Sequence, residues 1–372
     1  MIEKQLVILG IRGIPARHGG FETFAERLCL FLVGQGWDLI VYCQEKGQGE
    51  LHESTWRGVK RIHVPIKNEG PLGTIFFDLK SVWHAKKYKS LHLTLGYNSA
   101  CFNIIQRIYR IRNVMNMDGI EWKRQKWGRI LKAWFWLNER FGCWFANHLI
   151  ADHPLIEAHL ATRVSREKIT MIPYGAIRVS DADESLIVQY GVEKNNYSIV
   201  IARPEPENSI LEIVKAFCMC PRKGKLLVLG SFFPDSNYYH REVFETANDS
   251  VIFPGAIYDA DTIAALRFYS RFYIHGHQVG GTNPSLVEAL GAGCALVAHD
   301  NPFNRWVANE SALYFSGVDR LSNFFSGQYL EDDYVKKKKA EAVVQFQSGF
   351  EWDDVLRAYE AILSMQQESE AK

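Results

Sequence analysis

The length, composition and charge of the chain limit its organisation before any motif is considered. It has 372 residues, of which 47% are hydrophobic and 23% are charged, a balance typical of folded globular proteins and unlike that of disordered chains. A chain of this length suits two domains, each large enough to bury its own core. The formal net charge is only +1, so the protein lacks the basic excess that is typical of nucleic-acid-binding proteins.

The cysteines and the hydropathy pattern indicate a reducing compartment. The cysteines number 7 and are scattered among apolar neighbours, without the paired spacing of a zinc site, so we expect reduced thiols and no structural metal. The first residues lack the pattern of a signal peptide. No segment contains the run of about 18 consecutive apolar residues that a membrane-spanning helix requires. These features predict a cytoplasmic protein that does not cross the membrane.

In the first half of the chain, short β-branched runs alternate with amphipathic stretches. The runs predict strands at residues 5–10, 38–43, 60–64, 91–95, 113–117 and 148–151. Amphipathic periodicity predicts helices at residues 21–33, 74–87, 99–109 and 126–145. Because strand and helix alternate, this half is expected to form a parallel sheet covered on both faces.

The second half repeats the alternation. Strands are predicted at residues 198–202, 225–229, 251–253, 272–274 and 295–298, with helices at 210–218, 286–290 and 333–365. Residues 172–176 contain proline and glycine and precede a polar stretch, which indicates a linker. We therefore expect an α/β protein with Rossmann-like domains at residues 1–178 and 179–350, and a C-terminal helix, 351–372, that packs back toward the first domain.

A glycine-rich loop joins the first predicted strand to the first predicted helix. It contains Gly13, Gly19 and Gly20, and its basic residues are Arg12, Arg17 and His18. Glycines at such a turn let backbone amides approach an anion, and the N-terminus of the helix adds a partial positive charge. Their spacing does not match the dinucleotide-binding fingerprint. The loop is either a site for an anion or a sugar, or a tight turn that needs glycine for its backbone alone.

A second loop of this kind follows the strand predicted at residues 272–274. Asn283 or Ser285 can cap the helix that follows it, and the amides of residues 281–285 would form an anion nest into which a diphosphate fits. Glu288 is placed in the first turn of that helix. There it would either accept hydrogen bonds from a ribose or sugar diol, or complement the helix dipole.

Four segments carry a resemblance to a known family. They are residues 13–24 (GIPARHGGFETF), 116–124 (NMDGIEWKR), 202–208 (ARPEPEN) and 275–288 (HGHQVGGTNPSLVE). The chain resembles the retaining GT-B glycosyltransferases of family four, and among them the bacterial rhamnosyltransferases of capsule and cell-surface polysaccharide synthesis. The resemblance extends from residue 10 to 305. It implies a GT-B fold, in which two Rossmann-like domains face each other across a cleft that holds the phosphates of a nucleotide sugar.

The resemblance also implies roles for particular residues. Arg203 matches the arginine that holds the donor diphosphate, and Glu288 matches the second glutamate of the family's paired-glutamate motif, which contacts the nucleotide ribose. Gly280 stands where the wider family has the first glutamate, and Asn208 where it has a phosphate-binding lysine. Near the family's active-site histidine the chain has Asp118, which either takes over that polar role or caps a turn.

The chemistry of sugar transfer accounts for these residue types. Negative charge accumulates on the leaving diphosphate, and preorganised amides together with Arg203 would stabilise it without a metal ion. The resemblance implies retention with the donor phosphate as the base, so a glycosidase-type carboxylate pair is not expected. His275 and His277 lack a nearby third ligand, which favours hydrogen bonds to the donor over a metal site. The candidate catalytic residues are Asp118, Arg203 and His277, and the candidate donor-binding residues are Gly13, Gly19, Gly20, Arg203, Asn208, Gly281, Thr282, Asn283, Ser285 and Glu288.

Residues 121–145 combine tryptophan with basic residues. They hold five of the 10 tryptophans, and six Lys or Arg against two Glu. Such a helix suits an anionic bilayer surface, where indoles lie at headgroup depth, and would bring the protein to a lipid-linked acceptor. Alternatively it is a core helix with its tryptophans inside and its lysines in water.

Taken together, the motifs predict a glycosyltransferase. The principal hypothesis is transfer of L-rhamnose from dTDP-rhamnose to a lipid-linked saccharide at the cytoplasmic face of the membrane, in capsule or O-antigen synthesis. The alternatives are another donor, linked to UDP or GDP, and a non-catalytic nucleotide-sugar-binding protein. An oxidoreductase is disfavoured because the dinucleotide fingerprint is missing. The expected partners are the donor and the acceptor, with no cofactor and no nucleic acid.

Overall fold

The computed structural model describes residues 4–17, 19–67, 70–124, 126–220, 224–326 and 331–368. The chain divides into two compact units: unit 1 is residues 1–173 with 353–372, and unit 2 is residues 174–352. The expected boundary near residue 178 lies inside unit 2, because Ala176 N–H already donates to Phe350 O of that unit at 2.9 Å.

Strands and helices alternate along both units. The strands are β1 (Gln5–Leu9), β2 (Asp38–Lys46), β3 (His52–Trp56), β4 (Val59–Ile66), β5 (Leu91–Leu95), β6 (Asn113–Asn116), β7 (His148–Ala151), β8 (Ile169–Met171), β9 (Tyr197–Ile201), β10 (Lys225–Leu229), β11 (Val251–Gly255), β12 (Phe272–His275), β13 (Leu296–His299) and β14 (Ala312–Phe315). The helices are α1 (Gly20–Gly34), α2 (Pro71–Ala85), α3 (Ile104–Ile108), α4 (Arg129–Phe145), α5 (Pro154–Leu160), α6 (Ser185–Val188), α7 (Ile210–Cys218), α8 (Tyr238–Thr246), α9 (Ala260–Phe268), α10 (Pro284–Gly291), α11 (Pro302–Ala308), α12 (Val318–Ser326), α13 (Asp332–Gln347) and α14 (Trp352–Glu368).

Unit 1 is organised around one twisted sheet. In the described residues its 8 strands have the order β3-β4-β2-β1-β5-β6-β7-β8. Neighbouring strands are parallel, except that β3 pairs antiparallel with β4. The central strands β1 and β5 are buried almost throughout, as expected for parallel strands covered by helices on both faces.

The C-terminal helix α14 completes unit 1. Its Tyr359 and Leu363 are buried. The ring of Tyr359 lies 4.5 Å, centroid to centroid, from that of Phe24 on α1. Near the end of the helix, Arg112 Nη2 donates to Gln366 Oε1 at 2.7 Å. Helix α14 therefore belongs to the core of unit 1, together with α1.

Unit 2 has a parallel sheet of the same type. The order of its 6 strands in the described residues is β11-β10-β9-β12-β13-β14. Buried apolar side chains form two clusters, one centred on Ile199, Tyr273 and Leu286, the other on Val200, Phe217 and Ile274. Because consecutive residues of a strand point to opposite faces, two separate clusters show that helices cover the sheet on both sides.

Several elements differ from the sequence prediction. β3, β8 and β14 were not predicted, since β3 is largely polar and exposed, and β8 and β14 are short. The helix predicted at residues 99–109 is a 3₁₀ turn followed by the short α3. The helix predicted from residue 126 begins at Arg129, and the predicted helix 333–365 is divided into α13 and α14 around Gly349, whose φ is +144°.

Candidate functional site

The strand order of unit 2 creates a crevice between two loops. From β9 the chain proceeds outward through β10 and β11 and then returns to β12, on the other side of β9. The loops that follow two such neighbouring strands diverge to opposite faces of the sheet and leave a gap between them. In open α/β sheets, ligands bind in this gap, outside the carboxyl ends of the strands. Here the loops are residues 202–209 and 276–283. They contain Arg203, Asn208, His277, Gly281, Thr282 and Asn283 of the predicted site.

The two loops are bonded to each other. Ser209 Oγ donates to Gly276 O at 2.8 Å, and the Gln278 N–H donates to Glu207 O at 2.9 Å. A Cβ on Gly276 would collide with the carbonyl oxygen of Asn208, so this close approach requires glycine. The Asn208 side chain is buried and donates to Arg203 O at 2.7 Å. The Asn208 amide thus stabilises the loop itself, whereas the sequence predicted that Asn208 would contact the nucleotide-sugar donor.

Arg203 lies exposed in the loop after β9. The next residue, Pro204, is fixed by a histidine that sequence reasoning missed. His240 of α8 accepts the Phe233 N–H at Nδ1 (2.8 Å) and donates from Nε2 to Pro204 O (2.9 Å). An amide can only donate and a carbonyl can only accept, so the imidazole is the neutral tautomer with its proton on Nε2. No sequence motif indicated it, because α8 lies more than thirty residues beyond Arg203 in the chain.

His275 ends β12 as a buried, neutral imidazole. Burial, reinforced by the neighbouring His277 and His299, holds the pKa of His275 well below its usual value. Its ring stacks on that of His277 at 4.4 Å between centroids. Within the described part of the chain, neither of its ring nitrogens has a hydrogen-bond partner. The pair can therefore give and accept hydrogen bonds, but His275 cannot contribute positive charge toward a phosphate.

The backbone of His277 is fixed by the start of α11. Its carbonyl oxygen accepts from Asn301 Nδ2 at 2.9 Å and from Asn304 Nδ2 at 2.8 Å. The side-chain oxygen of Asn301 caps the same helix, accepting from Phe303 N at 3.0 Å. The backbone of the candidate catalytic histidine is therefore held by two side-chain amides at the start of α11.

Glu288 forms an ion pair with a buried arginine. It is the fifth residue of α10, beyond the first turn in which it was expected, so helix-dipole complementation does not explain it. Arg267 of α9 places Nη2 2.5 Å from Glu288 Oε2, and the Glu288 side chain keeps 36% of its surface exposed. Burial alone would lower the pKa of Arg267, but the carboxylate of Glu288 outweighs it and raises that pKa. The exposed part of the carboxylate remains available to a hydroxyl group.

The cap of α10 is satisfied within the chain. Asn283 Oδ1 accepts the Ser285 N–H at 3.0 Å, as predicted for a capping residue. The Ser285 hydroxyl contacts the Tyr273 hydroxyl and donates to Ile201 O at 3.2 Å, so it is engaged in the interior. Gly280 has φ +139°, a conformation that side chains rarely adopt. A glutamate at this position, where the wider family has one, would be strained in this backbone conformation.

The glycine loop of unit 1 differs from the expected anion site. The Arg12 N–H donates to Glu22 Oε1 at 3.1 Å, and the Ala16 N–H donates to Glu26 Oε2 at 2.5 Å. Gly13 and Gly19 have positive φ, and Gly20 is the first residue of α1. Two carboxylates of α1 thus occupy two amides of the loop, which are no longer available to an anion, and the positive φ of Gly13 and Gly19 shows that the turn itself requires glycine at these positions. His18 lies outside the described residues.

Asp118 follows β6 in a left-handed conformation, with φ 51°. Such a conformation costs a residue with a side chain on the order of 1–2 kcal/mol and occurs frequently at functional sites. Asn116 holds it in place: Asn116 Oδ1 accepts the Asp118 N–H at 2.9 Å, and Asn116 Nδ2 donates to the Tyr359 hydroxyl of α14 at 2.7 Å. Tyr97 secures the next residue, donating to Gly119 O at 3.0 Å.

The tryptophans of residues 121–145 divide into two groups. The indole N–H groups of Trp122, Trp127 and Trp134 donate internally, to Glu139 (2.6 Å), Glu121 (3.1 Å) and the Asn98 carbonyl (2.8 Å). Trp136 and Trp144 are exposed. Among the described residues, no helix combines the length and apolar character needed to cross a bilayer.

One side-chain set of unit 1 has metal-ligand character. Glu45, His52 and His63 bring one ligand atom each within 4.8 Å of one another on β2, β3 and β4. Imidazole and carboxylate suit Zn²⁺ and similar ions. The set belongs to unit 1, and we assign it no part in the chemistry proposed for unit 2.

Comparisons with known proteins define the fold. Residues 3–177 match the family model described as Domain of unknown function (DUF1972). No curated protein matches the sequence. Similar solved structures include sucrose-phosphate synthase from Thermosynechococcus elongatus (18% identity, 97% of this chain and 98% of that chain, TM-score 0.78) and Anabaena HepE in complex with UDP and glucose (16%, 97% and 100%, 0.77). A glycosyltransferase from Rickettsia africae is similar at 15% identity over 98% of each chain, with a TM-score of 0.72.

These likenesses identify the class of architecture. The chain is an α/β protein of two Rossmann-like domains with the GT-B fold, which confirms the predicted fold class.

Proposed function

We propose that the protein is a glycosyltransferase that uses a nucleotide-sugar donor, and that the donor binds at the crevice of unit 2. The carrying observation is an exposed guanidinium, Arg203, in the loop after β9, together with a partly exposed, ion-paired carboxylate, Glu288, on α10, the helix that follows the loop after β12. Complexes with UDP and glucose are known for the structurally similar Anabaena HepE. That similarity supports the class of ligand proposed.

Each group has a distinct part in the proposed reaction. Arg203 neutralises the charge that develops on the leaving diphosphate, where a fixed cation is most effective. The N-terminus of α10 and the amides before it add their partial positive charge. The free part of the Glu288 carboxylate accepts hydrogen bonds from the ribose hydroxyls. His277 donates to the donor sugar or phosphate, and Asp118 is the candidate polar group on the acceptor side.

The finer proposal is transfer of L-rhamnose from dTDP-rhamnose, with retention, to a lipid-linked saccharide of capsule or O-antigen synthesis at the cytoplasmic face of the membrane. It is supported by the resemblance of the segments at residues 13–24, 116–124, 202–208 and 275–288. Donors linked to UDP or GDP are the alternatives within the class. A non-catalytic nucleotide-sugar-binding protein is the alternative outside it.

The test is donor consumption and product formation. The purified protein is incubated with dTDP-, UDP- and GDP-sugars and a lipid-linked acceptor, and the anomeric configuration of any product is determined by NMR. Arg203→Ala should lower the transfer rate by about 10²–10³-fold, the loss typical of removing one group that stabilises transition-state charge. Lys337→Ala, which removes an exposed cation of α13, is the control and should transfer at the wild-type rate. Donor binding without any product would favour the non-catalytic alternative.

A further inference from the structure

Helix α2 has a solvent-exposed face that is both apolar and basic. Leu72, Phe76 and Trp83 are 66%, 54% and 55% exposed, although large apolar side chains are usually buried. At about 100° per residue, these three and the exposed Lys80 fall within an arc of about 80°, and the exposed Lys87 follows two residues beyond the end of the helix. The inner face of the helix is separate, since Phe77, Val82 and Ala85 pack into the core of unit 1. The apolar side chains of the outer stripe therefore take no part in that core.

Helix α3 extends this face. Its outward side chains Ile104 and Ile108, and Tyr109 just beyond it, are exposed. Lys86 joins the two helices, with its Nζ 3.1 Å from the ring centroid of Trp83 and 5.0 Å from that of Tyr109. Lysines over aromatic rings at the edge of an apolar patch reproduce the composition of a membrane–water interface, where indole and phenol rings lie between hydrocarbon and headgroups.

Helix α4 continues the face on the far side of α3. Residues Ile130, Leu137 and Trp144 are seven apart along it and are exposed, Ile130 by 87%. α3 contacts both α2 and α4. The crossovers from β4 to β5, β5 to β6 and β6 to β7 all proceed in one direction across the sheet. Right-handed connections place their helices on the same side. The outward stripes of α2, α3 and α4 thus belong to one helical layer.

The local charge identifies the partner that this layer fits. Residues 71–112 contain seven Lys or Arg (Lys80, Lys86, Lys87, Lys89, Arg107, Arg110 and Arg112) and one acidic residue, Asp78, in a chain that overall has 43 basic and 42 acidic residues. A partner protein with an apolar surface requires no such excess. An anionic bilayer attracts each basic residue near its surface by about 1 kcal/mol and accepts the apolar side chains among its acyl chains.

We propose that α2, α3 and the outer stripe of α4 form a docking surface for an anionic lipid bilayer. Leu72, Phe76, Trp83, Ile108 and Ile130 enter the interface, while the lysines extend to the phosphates. Of the segment expected to face the membrane, residues 121–145, only the outer stripe of α4 takes part, because Trp122, Trp127 and Trp134 donate their indole N–H groups internally. The docking surface would bring the protein to a lipid-linked acceptor, and this part of the proposal rests on the proposed function. The binding of lipid does not.

The test is sedimentation of the full chain with vesicles, read without any transfer reaction. Vesicles of phosphatidylcholine alone are compared with vesicles that also contain phosphatidylglycerol, at low and high salt. The test variant is Leu72→Gln/Phe76→Gln/Trp83→Gln, and a second variant, Lys86→Gln/Lys87→Gln/Lys89→Gln, removes charge only. The matched control, Val188→Gln/Met219→Gln/Val344→Gln, replaces three equally exposed apolar side chains of unit 2. Circular dichroism and melting temperature establish that each variant is folded.

The wild type and the control should sediment with the anionic vesicles, and high salt should release them. The apolar variant should bind at least about tenfold more weakly, since three apolar side chains no longer enter the bilayer. The charge variant should lose the difference between anionic and neutral vesicles. Equal binding by wild type and apolar variant would overturn the proposal, as would a wild type that self-associates through this face and ignores vesicles. Vesicle binding without donor consumption would leave the surface intact and contradict the proposed function alone.

Discussion

Arg267 holds Glu288 from the interior of unit 2. The two charged groups are 2.5 Å apart, and the guanidinium is buried while the carboxylate is partly exposed. The Arg267 guanidinium also lies 5.9 Å from the ring centroid of Tyr273. An interior cation that orients a carboxylate toward a crevice gives that carboxylate one fixed position, which a hydroxyl-binding group requires.

Glu288→Gln should weaken donor binding and destabilise the protein together. Loss of the carboxylate charge leaves Arg267 uncompensated, which we expect to lower the free energy of unfolding by about 1–3 kcal/mol, less than for a fully buried pair because Glu288 is partly exposed. Arg267→Met should leave stability closer to wild type, since an apolar side chain replaces the buried cation, while donor KM rises. Urea unfolding and initial-rate kinetics measure the two effects. If Glu288→Gln and Arg267→Met lost equal amounts of stability, the buried Arg267 charge would not be the cause of the loss in Glu288→Gln.

His240→Leu should raise the donor KM. Removing the imidazole leaves the Phe233 N–H and the Pro204 carbonyl without their partner, which costs about 1–3 kcal/mol of stability and frees the loop that carries Arg203. His84→Leu is the control, because it breaks a comparable bond to the Tyr42 hydroxyl in unit 1. We expect both variants to melt at lower temperature and only His240→Leu to change KM. An unchanged donor KM would show that the loop keeps its shape without His240.

Tyr359→Phe should slow transfer although it lies on the C-terminal helix. It removes the acceptor of the buried Asn116 amide, and Asn116 holds the backbone of Asp118. Tyr197→Phe serves for comparison, because it breaks a similar buried bond, to Leu266 O in unit 2. Each variant should lose about 1–2 kcal/mol of stability, and only Tyr359→Phe should lower kcat with the donor KM unchanged. Identical kcat values would remove Asp118 from the proposed reaction.

Asp78 predicts a stability loss as the pH rises toward neutrality. Burial raises the pKa of Asp78 to about 7, in spite of the neighbouring Ser99 hydroxyl. An unfolded aspartate titrates near 3.9, so between about pH 4 and about pH 7 the native state holds a proton that the unfolded state has lost, and stability falls with rising pH. Asp78→Asn should therefore stabilise the protein at about pH 8 and change little at about pH 4. Melting temperatures of the two proteins across this range provide the measurement, and parallel curves would refute the assignment.

Transfer should proceed in the presence of a chelator. In the proposed reaction Arg203 and backbone amides supply the positive charge for the leaving diphosphate, and no step uses a metal ion. Initial rates after dialysis against EDTA should equal those with added Mg²⁺ or Mn²⁺. A rate restored only by a divalent ion would require a metal site in the crevice and a different account of the leaving group.

The sequence predicts the fold well where apolar burial decides the structure. β5, β7 and β10 have the predicted bounds, because strands that are buried on both faces are short segments rich in apolar residues. β3 was missed because its largely exposed residues alternate no apolar side chains into the core. The fold class follows from the order of these runs and did not depend on the missed strands.

The site is less predictable, because its contacts join residues that are far apart in the chain. Glycines in two loops indicated two anion sites, yet in unit 1 the carboxylates of Glu22 and Glu26 take amides of the loop, which requires knowing how α1 faces it. Arg267 gave a weak signal, as a charged residue in the otherwise apolar end of a helix. Its partner is twenty-one positions away on a different helix, and only the packed structure joins them.

The return of α14 to unit 1 has a consequence for biosynthesis. A ribosome releases residues 1–173 before α14, so unit 1 cannot bury Tyr359 or Leu363 until all of unit 2 has been translated. A gene fragment cut at residue 173 would encode a half-formed product with an uncovered apolar surface, prone to aggregate. A soluble stand-alone version of unit 1 would need the codons for residues 353–368 spliced directly behind the first 173.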